Sequence, residues 1–598
     1  MKKNNIQKNS SQRNFRSVLI YGSKYKMRFI LILILSIFSI TANILSTFMV
    51  GFGIEYLIND TNNNPNITTE IIVFSTLLAS FYAIYSGFRY LSNLLMIRLT
   101  HNLGFTIRKD LFFKLQKLPF SYLDVQSTGD VMSRLTSDVE VFTMTLSQQG
   151  VEFLSGLITV TGMLIGMFIL SPILTVILIV AMPIMFFVVI FVLRKAQPYF
   201  AKRQKFTGEV NGFAEEYISA QKVINLFSYQ KEAFNKFQKI NKDLSVAEEK
   251  SRLISGVIFP YNNFVNNFML MFITLIAVVF ISAGVSITGA TNLSSVGLIF
   301  PFILLQRQFS MPITSFFSMI NQFQLAFAGA SRFFEILNEE EEVQEKSDKK
   351  IKVKNACVEF KNIDFSYVEG KKIINDLSLN TKTGGINAIV GSTGSGKTTL
   401  ISLLTRFYEI NSGCIEIDGQ DISKFSKHNI RENITVVLQD TFLFSESIRE
   451  NISYGNMKAT DKEIIEAAKS ANAWHFIEQL PNGLDTILYP DNSIISEGEK
   501  QLIAISRAFL SKAKIIILDE ATSYVDTKTE KEIQEAMAKL MKGRTSFVIA
   551  HRLSTIKKAD QIVVLQKGVL KEKGTHNELL SKKGLYYEMI QSGMSEDN

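Results

Sequence analysis

Residues 391–398 read Gly-Ser-Thr-Gly-Ser-Gly-Lys-Thr, a complete G-x-x-x-x-G-K-T pattern behind the apolar run 386–390. Such a loop curls backbone N–H groups around phosphate, and the helix that starts behind it adds the positive end of its dipole. The cradle comprises Gly391, Ser392, Thr393, Gly394, Ser395, Gly396 and Thr399. Lys397 is placed for the β- and γ-phosphates and the Thr398 hydroxyl for Mg²⁺. A second apolar run, 515–518, ends on Asp519-Glu520. Adjacent carboxylates at a strand's end suit two tasks, one holding the Mg²⁺ shell and the next orienting and deprotonating water. Asp519 takes the metal role and Glu520 the base role, so a nucleoside triphosphate and Mg²⁺ are the expected ligands. The phosphate loop alone occurs in many nucleotide hydrolases and names a reaction class only.

The elements that must hold these residues fall in two unlike halves. Up to about residue 325 the chain is dominated by apolar stretches long enough to cross a bilayer, and from about 349 it reads as an ordinary α/β chain. The boundary falls near the acidic, helix-ending run Asn338-Glu339-Glu340-Glu341-Glu342. Six spans are predicted, at about 27–57, 69–97, 146–170, 173–194, 256–283 and 294–320. The connections at 59–66, at Ser171-Pro172 and at 282–295 contain no Lys or Arg, while 98–134 and 194–252 are basic. That asymmetry places both termini in the cytoplasm. The long inward connections have few Gly or Pro and carry Ile107, Leu111, Phe112 and Leu115 at helical spacing, so they are expected to be helices projecting into the cytoplasm. Such extensions already lean toward an export architecture.

Polar side chains fall within or near the spans, among them Arg89, Glu152, Asn262, Asn263, Asn266, Asn267, Gln306, Arg307 and Gln308. Arg89 and Glu152 lie near the inner interface, where a long side chain reaches water. Arg307 lies about 19 Å deep at 1.5 Å per residue, where an unpaired charge costs at least ~2.5 kcal/mol. It belongs either to the substrate path or to a structural pair with a polar neighbour.

The net charge of +9 is concentrated where a membrane explains it: Lys2, Lys3, Lys8, Arg13, Arg16, Lys24, Lys26 and Arg28 directly precede the first apolar run. No aromatic and basic reading surface accompanies it, so nucleic acid is not an expected partner. Cys357 and Cys414 are the only cysteines, which excludes a disulfide framework and a cysteine metal site and suits a reducing cytoplasm.

Between the two phosphate-handling motifs lie Ser496-Glu497-Gly498-Glu499-Lys500-Gln501, which resemble the ABC signature usually written LSGGQ. Gln439 matches the Q-loop, Ser523-Tyr524-Val525-Asp526 the D-loop and His551 the switch histidine, and Tyr367 falls where the family stacks an aromatic on adenine. Residues 120–124 with Gly129, Arg134 and Asp138 look like the first intracellular loop, including its coupling helix, and 216–234 like the second, with Ala220 where Gly is usual. From nearly end to end the chain resembles a bacterial exporter-type ABC half-transporter. The resemblance implies an all-α six-helix transmembrane domain followed by an α/β P-loop nucleotide-binding domain with a helical subdomain. Segments of 1–26, 27–325, 326–352 (linker), 353–592 and 593–598 follow. It implies Gln439 beside Asp519 and Thr398 at the metal and His551 at the γ-phosphate. It also implies a second half-transporter whose ATP meets Ser496, Glu497, Gly498, Glu499 and Asp526 across the interface.

Two departures matter. Glu497 and Glu499 replace the usual Gly and Gln, bringing carboxylates near a polyanion; like charges about 4 Å apart repel by roughly 4 kcal/mol at an effective dielectric of ~20. A competent Glu520 and His551 beside a weakened signature resembles the catalytic half of a heterodimer, with a homodimer as the alternative. The expected activity is ATP-driven export of drug- or lipid-like amphipathic compounds across the cell membrane. A lipid flippase, a peptide exporter and an ATP-gated, channel-like ABC protein are the competing classes.

Overall fold

The computed structural model describes residues 21–60, 67–290, 294, 297–342, 350–368, 370–439, 441–489, 494–519, 526–550 and 553–591. The chain divides into two compact units, Met1–Gln116 with Thr128–Glu339, and Lys117–Ser127 with Glu340–Asn598.

The first unit is built on long helices: α1 (Lys26–Asp60), α2 (Ile67–Leu115), α4 (Val139–Leu170), α5 (Pro172–Ser219), α6 (Gln230–Gly256), α7 (Ile258–Ser282) and α8 (Ile299–Asn338), where α3 (Phe120–Val125) is the short helix of the other unit. Segments at Lys26–Tyr56, Thr68–Leu115, Thr128–Leu170 and Asn263–Ser282 are long and apolar enough to cross a membrane, and Pro172–Pro183 is a shorter apolar stretch. The remaining expected spans lie on α5 and α8, of 48 and 40 residues. The long connections are helical as anticipated: α2 continues to Leu115 and α5 to Ser219 without a break.

Local chemistry explains the turns. Ser171 caps α5 with its hydroxyl on the Leu174 amide, and Pro172 occupies the first helical turn, where its missing N–H is no loss. The amides of Gly289 and Ala290 donate to Leu170 and Ile169, pairing carbonyls that the end of α4 leaves open. Small residues set the helix spacing. A Cβ on Gly166 would sit 3.3 Å from Leu305, and one on Gly162 would sit 2.9 Å from Ile44; close approach of this kind is how helices gain packing energy in lipid. Helix α8 runs past residue 325 into the segment expected as linker, because Ala326, Ala330, Phe333, Phe334 and Ile336 keep a buried apolar stripe at helical spacing up to Asn338.

The second unit carries two sheets. β1 (Val358–Phe365), β2 (Ile374–Asn380), β4 (Ser412–Ile417) and β5 (Gln420–Asp421) form an antiparallel sheet in the order β2-β1-β4-β5. β3 (Ile386–Val390), β6 (Ile434–Val437), β7 (Ile515–Asp519), β8 (Thr545–Ile549), β9 (Gln561–Gln566) and β10 (Val569–Gly574) form the other, in the order β10-β9-β3-β8-β7-β6. Its five strands from β9 to β6 are parallel and nearly all apolar, as strands covered on both faces must be. Around the sheets lie α9 (Lys397–Leu404), α10 (Asp461–Ser470), α11 (Glu497–Leu510) and α12 (Thr527–Met541). Ile464, Ala467 and Ala468 of α10 and Leu502, Ile503 and Ile505 of α11 share a core with Ile448, Ile452 and Phe476, which makes the helical subdomain.

Candidate nucleotide-binding site

The register of the parallel sheet gathers the motifs. Ile389 of β3 pairs with Ile549 of β8, Asp519 of β7 pairs with the same Ile549, and Val437 of β6 pairs with Leu518. The chain therefore leaves β3, β8, β7 and β6 at one edge, the carboxyl edge at which open α/β sheets bind ligands. The phosphate loop follows β3 directly, and Gln439 stands two residues beyond β6.

The loop has the shape its glycines permit. Gly394 and Gly396 have φ of +76° and +103°, and a Cβ on Gly391 would lie 2.4 Å from the Leu565 carbonyl. Gly396 leads into α9, so open N–H groups and the positive helix end face the loop. The Lys397 ammonium is folded back, donating to the carbonyls of Gly391 at 2.8 Å and Ser392 at 3.2 Å. Burial pushes Lys397 below the ordinary lysine range, while the Asp519 carboxylate pulls the other way. The buried Ser395 hydroxyl has no hydrogen-bond partner among the described residues. A loop with open backbone donors, a buried ammonium and a hydroxyl without a partner among the described residues fits a polyphosphate. Thr398 is exposed beside it, and Asp519 is partly buried at the end of β7. No cluster of three or more metal-ligating side chains occurs among the described residues. That donor set fits Mg²⁺, which keeps waters and takes one or two carboxylates together with substrate phosphates. Glu520 and His551, with residues 521–525, lie outside the described residues.

The signature departs less from its pattern in space than in spelling. Ser496 is the N-cap of α11, and Glu499 closes a capping box with it, accepting from the Ser496 amide at 2.6 Å. A glutamine at that position can make the same box, since the motif takes Glu or Gln. Glu497 is paired with Lys500 at 2.6 Å. Gly498 is buried in the first turn. Asp526 caps α12, its carboxylate accepting from the amides of Lys528 and Thr529 at 3.1 Å each.

Tyr367 stands past the end of β1, half-exposed, with its hydroxyl donating to Thr399 on α9 at 3.1 Å. Its ring is edge-on to Phe365 and to Tyr408, each at 4.8 Å. Tyr408 is a residue that motif reading passes over. The only signal for it in the sequence is the aromatic pair Phe407-Tyr408 just behind the phosphate-loop helix.

The family model of the ABC transporter transmembrane region matches residues 29–313, and the ABC transporter model matches 374–523. The chain belongs to the ABC transporter family. It is 39% identical over 578 residues to the uncharacterized ABC transporter ATP-binding protein YfiC of Bacillus subtilis (strain 168), covering 96% of this chain and 94% of that protein. It is 41% identical over 486 residues to a fatty acid ABC transporter ATP-binding/permease protein of Mycobacterium tuberculosis (strain CDC 1551 / Oshkosh), covering 81% and 76%. Among solved structures it is similar to a bacterial Atm1-family ABC exporter with ATP bound, with a TM-score of 0.77, 25% identity and coverage of 96% of this chain and 99% of that one. The chain is thus an ATP-hydrolysing membrane transporter with a helical transmembrane domain ahead of its nucleotide-binding domain.

Proposed function

We propose that this chain is one half of a dimeric exporter that moves lipid- or drug-like amphipaths across the cell membrane, and that it is the catalytically competent half of a heterodimer. The observation that carries export is the fusion, in one chain, of the transmembrane region and the ATPase, with helices α2 and α5 prolonged far beyond a bilayer's thickness. A fatty acid transporter among its relatives supports the amphipathic cargo. Exposed polar side chains on otherwise apolar helices support a wet path: Asn263 and Asn267 on α7 and Arg307 on α8. Neighbouring Gln308 is instead satisfied internally by Asn43 at 2.5 Å and Thr47 at 3.4 Å.

In this reading Tyr367 stacks on the base, the loop amides and Lys397 hold the phosphates, and Thr398, Gln439 and Asp519 hold Mg²⁺. The ion neutralises charge on the phosphates. Glu520 takes the proton of the attacking water while His551 holds its line to the γ-phosphate. Ser496 and Gly498, at the start of α11, serve the ATP of the partner half. A homodimer is the second reading, favoured by the capping box that Glu499 preserves at Ser496.

The test is co-expression with a candidate partner half, reconstitution in liposomes and measurement of ATP-dependent movement of a fluorescent fatty acid or drug-like dye. Movement that is lost in Glu520→Gln supports export. ATP turnover with no vectorial movement of any amphipath refutes it.

A further inference from the structure

The short helix α3 and the aromatic wall of the nucleotide site belong to the same compact unit. Phe120 of α3 packs on Phe407 at 4.8 Å, whose ring also carries the Arg431 guanidinium at 5.0 Å. Four residues further along α3, the Asp124 carboxylate accepts a 2.6 Å hydrogen bond from the Tyr408 hydroxyl. Tyr408 in turn stands edge-on to Tyr367 at 4.8 Å and 88°. The Tyr367 hydroxyl ends the series on Thr399 of the phosphate-loop helix. Each link is direct: a charge-assisted hydrogen bond, a ring contact and a second hydrogen bond.

Resting on the reading of Tyr367 as the base-stacking residue, we propose that Tyr408 is a positioning residue that ties the orientation of Tyr367, and so the affinity for adenine nucleotide, to the place of Asp124 on α3. Tyr367 is half-exposed, and a free aromatic ring there would lose rotational freedom each time it stacked on a base. Tyr408 and Phe365 remove that freedom in advance, and Tyr408, unlike Phe365, carries a hydroxyl, which is anchored on α3. Displacement of α3 shifts Asp124, releases Tyr408 and loosens Tyr367. By linkage, nucleotide on Tyr367 equally favours the seated position of α3. Asp124 is joined to Tyr408 by a direct hydrogen bond, so its influence on binding runs through Tyr408.

The experiment measures equilibrium binding of Mg-ATP to the full-length protein in lipid nanodiscs, with a partner half where one co-purifies, in a Glu520→Gln background that prevents turnover. Asp124→Ala is expected to weaken ATP binding by roughly three- to tenfold, less than the full worth of a hydrogen bond to a charged group, because the loss reaches Tyr367 only through Tyr408. Asp124→Asn keeps an acceptor oxygen and restores the parent affinity. Tyr408→Phe keeps the ring, reproduces the loss, and makes Asp124→Ala silent when the two are combined. Binding of inorganic tripolyphosphate, which has no base for Tyr367, stays constant throughout, whereas general loosening of the domain lowers it with ATP. The relay is overturned by unchanged ATP binding in a folded Tyr408→Phe or Asp124→Ala protein, by additive losses, or by a parallel loss of tripolyphosphate binding. A parent that binds no ATP overturns the nucleotide-site reading beneath it.

Discussion

Asp519 stands opposite Ile549 in the parallel β7–β8 ladder, and Ile549 also stands opposite Ile389, one residue before the last of β3. Three strands therefore end level with one another, so the Asp519 carboxylate and the phosphate loop issue from a single rim of the sheet. The backbone ladder sets this placement, and buried Ile516, Ile517, Phe547 and Val548 hold it rigid.

The first prediction follows from the division of labour along that rim. Glu520→Gln should lower ATP hydrolysis by roughly 10²–10⁴, the usual contribution of a general base, and leave Mg-ATP binding intact. Lys397→Ala should weaken nucleotide binding itself, because its ammonium already lies over the loop at Gly391 and Ser392. Measuring turnover and binding side by side on the same preparations separates the two. Turnover above about a tenth of the parent rate in Glu520→Gln removes Glu520 from the base role.

The sequence was most informative where chemistry dictates residue type at fixed spacing. The loop 391–398 and the carboxylate after 515–518 were readable, because phosphate and metal each select a narrow set of side chains; that Ser171 and Asp526 cap helices came only with the structure. Four of the six predicted spans coincide with segments long and apolar enough to cross a membrane, since lipid selects apolar runs. What the sequence hid is tertiary. Polarity at 338–342 marks where α8 stops, yet the buried stripe from Ala326 to Ile336 is recognisable only once its packing is seen. The carboxylates at 497 and 499 read as two charges facing a polyanion, while the structure turns one into a helix cap and pairs the other with Lys500. Tyr408 bears no motif, and its meaning depends on Asp124, nearly three hundred positions away.

Membrane topology gives the second prediction. Single cysteines at Asn64 and Thr291, introduced after Cys357 and Cys414 are removed, should react with an impermeant thiol reagent added to intact cells. One at Ser228 should react only after permeabilisation. The charge asymmetry of the connections demands this pattern, and the reverse pattern overturns it.

The third concerns acid. Burial alone raises the Glu342 carboxyl, but hydrogen bonds from Lys427 at 3.0 Å and Arg431 at 3.2 Å outweigh it and hold the group below the ordinary carboxylate range. The unfolded chain then binds the proton more tightly than the folded one. The stabilisation is complete above the ordinary value of 4.5 and is lost as pH falls through the lower, folded value. Glu342→Gln should therefore lower the melting temperature of the nucleotide-binding domain at neutral pH, and the gap to the parent should narrow in acid. A gap that stays constant down to the onset of acid unfolding contradicts this linkage.

The last prediction separates the two dimer arrangements by the departures in the signature. Glu499 accepts from the Ser496 amide, and Glu497, although exposed, is paired with Lys500. Glu499→Gln keeps a capping side chain, whereas Glu499→Ala removes it and should cost about 0.3–1.5 kcal/mol of stability, a control for damage to α11. The informative protein is Glu497→Gly with Glu499→Gln. In a heterodimer this signature completes a site whose partner lacks the catalytic carboxylate, and the ATPase rate should change by less than about twofold. In a homodimer both sites join this signature to Glu520, and removing negative charge from each transition state should raise turnover several-fold, because electrostatics there acts in a dry, preorganised site. Purified-complex ATPase is read beside a subunit count by native mass spectrometry. A single-species dimer with a strong response refutes the heterodimer, and two species with a small response refute the homodimer.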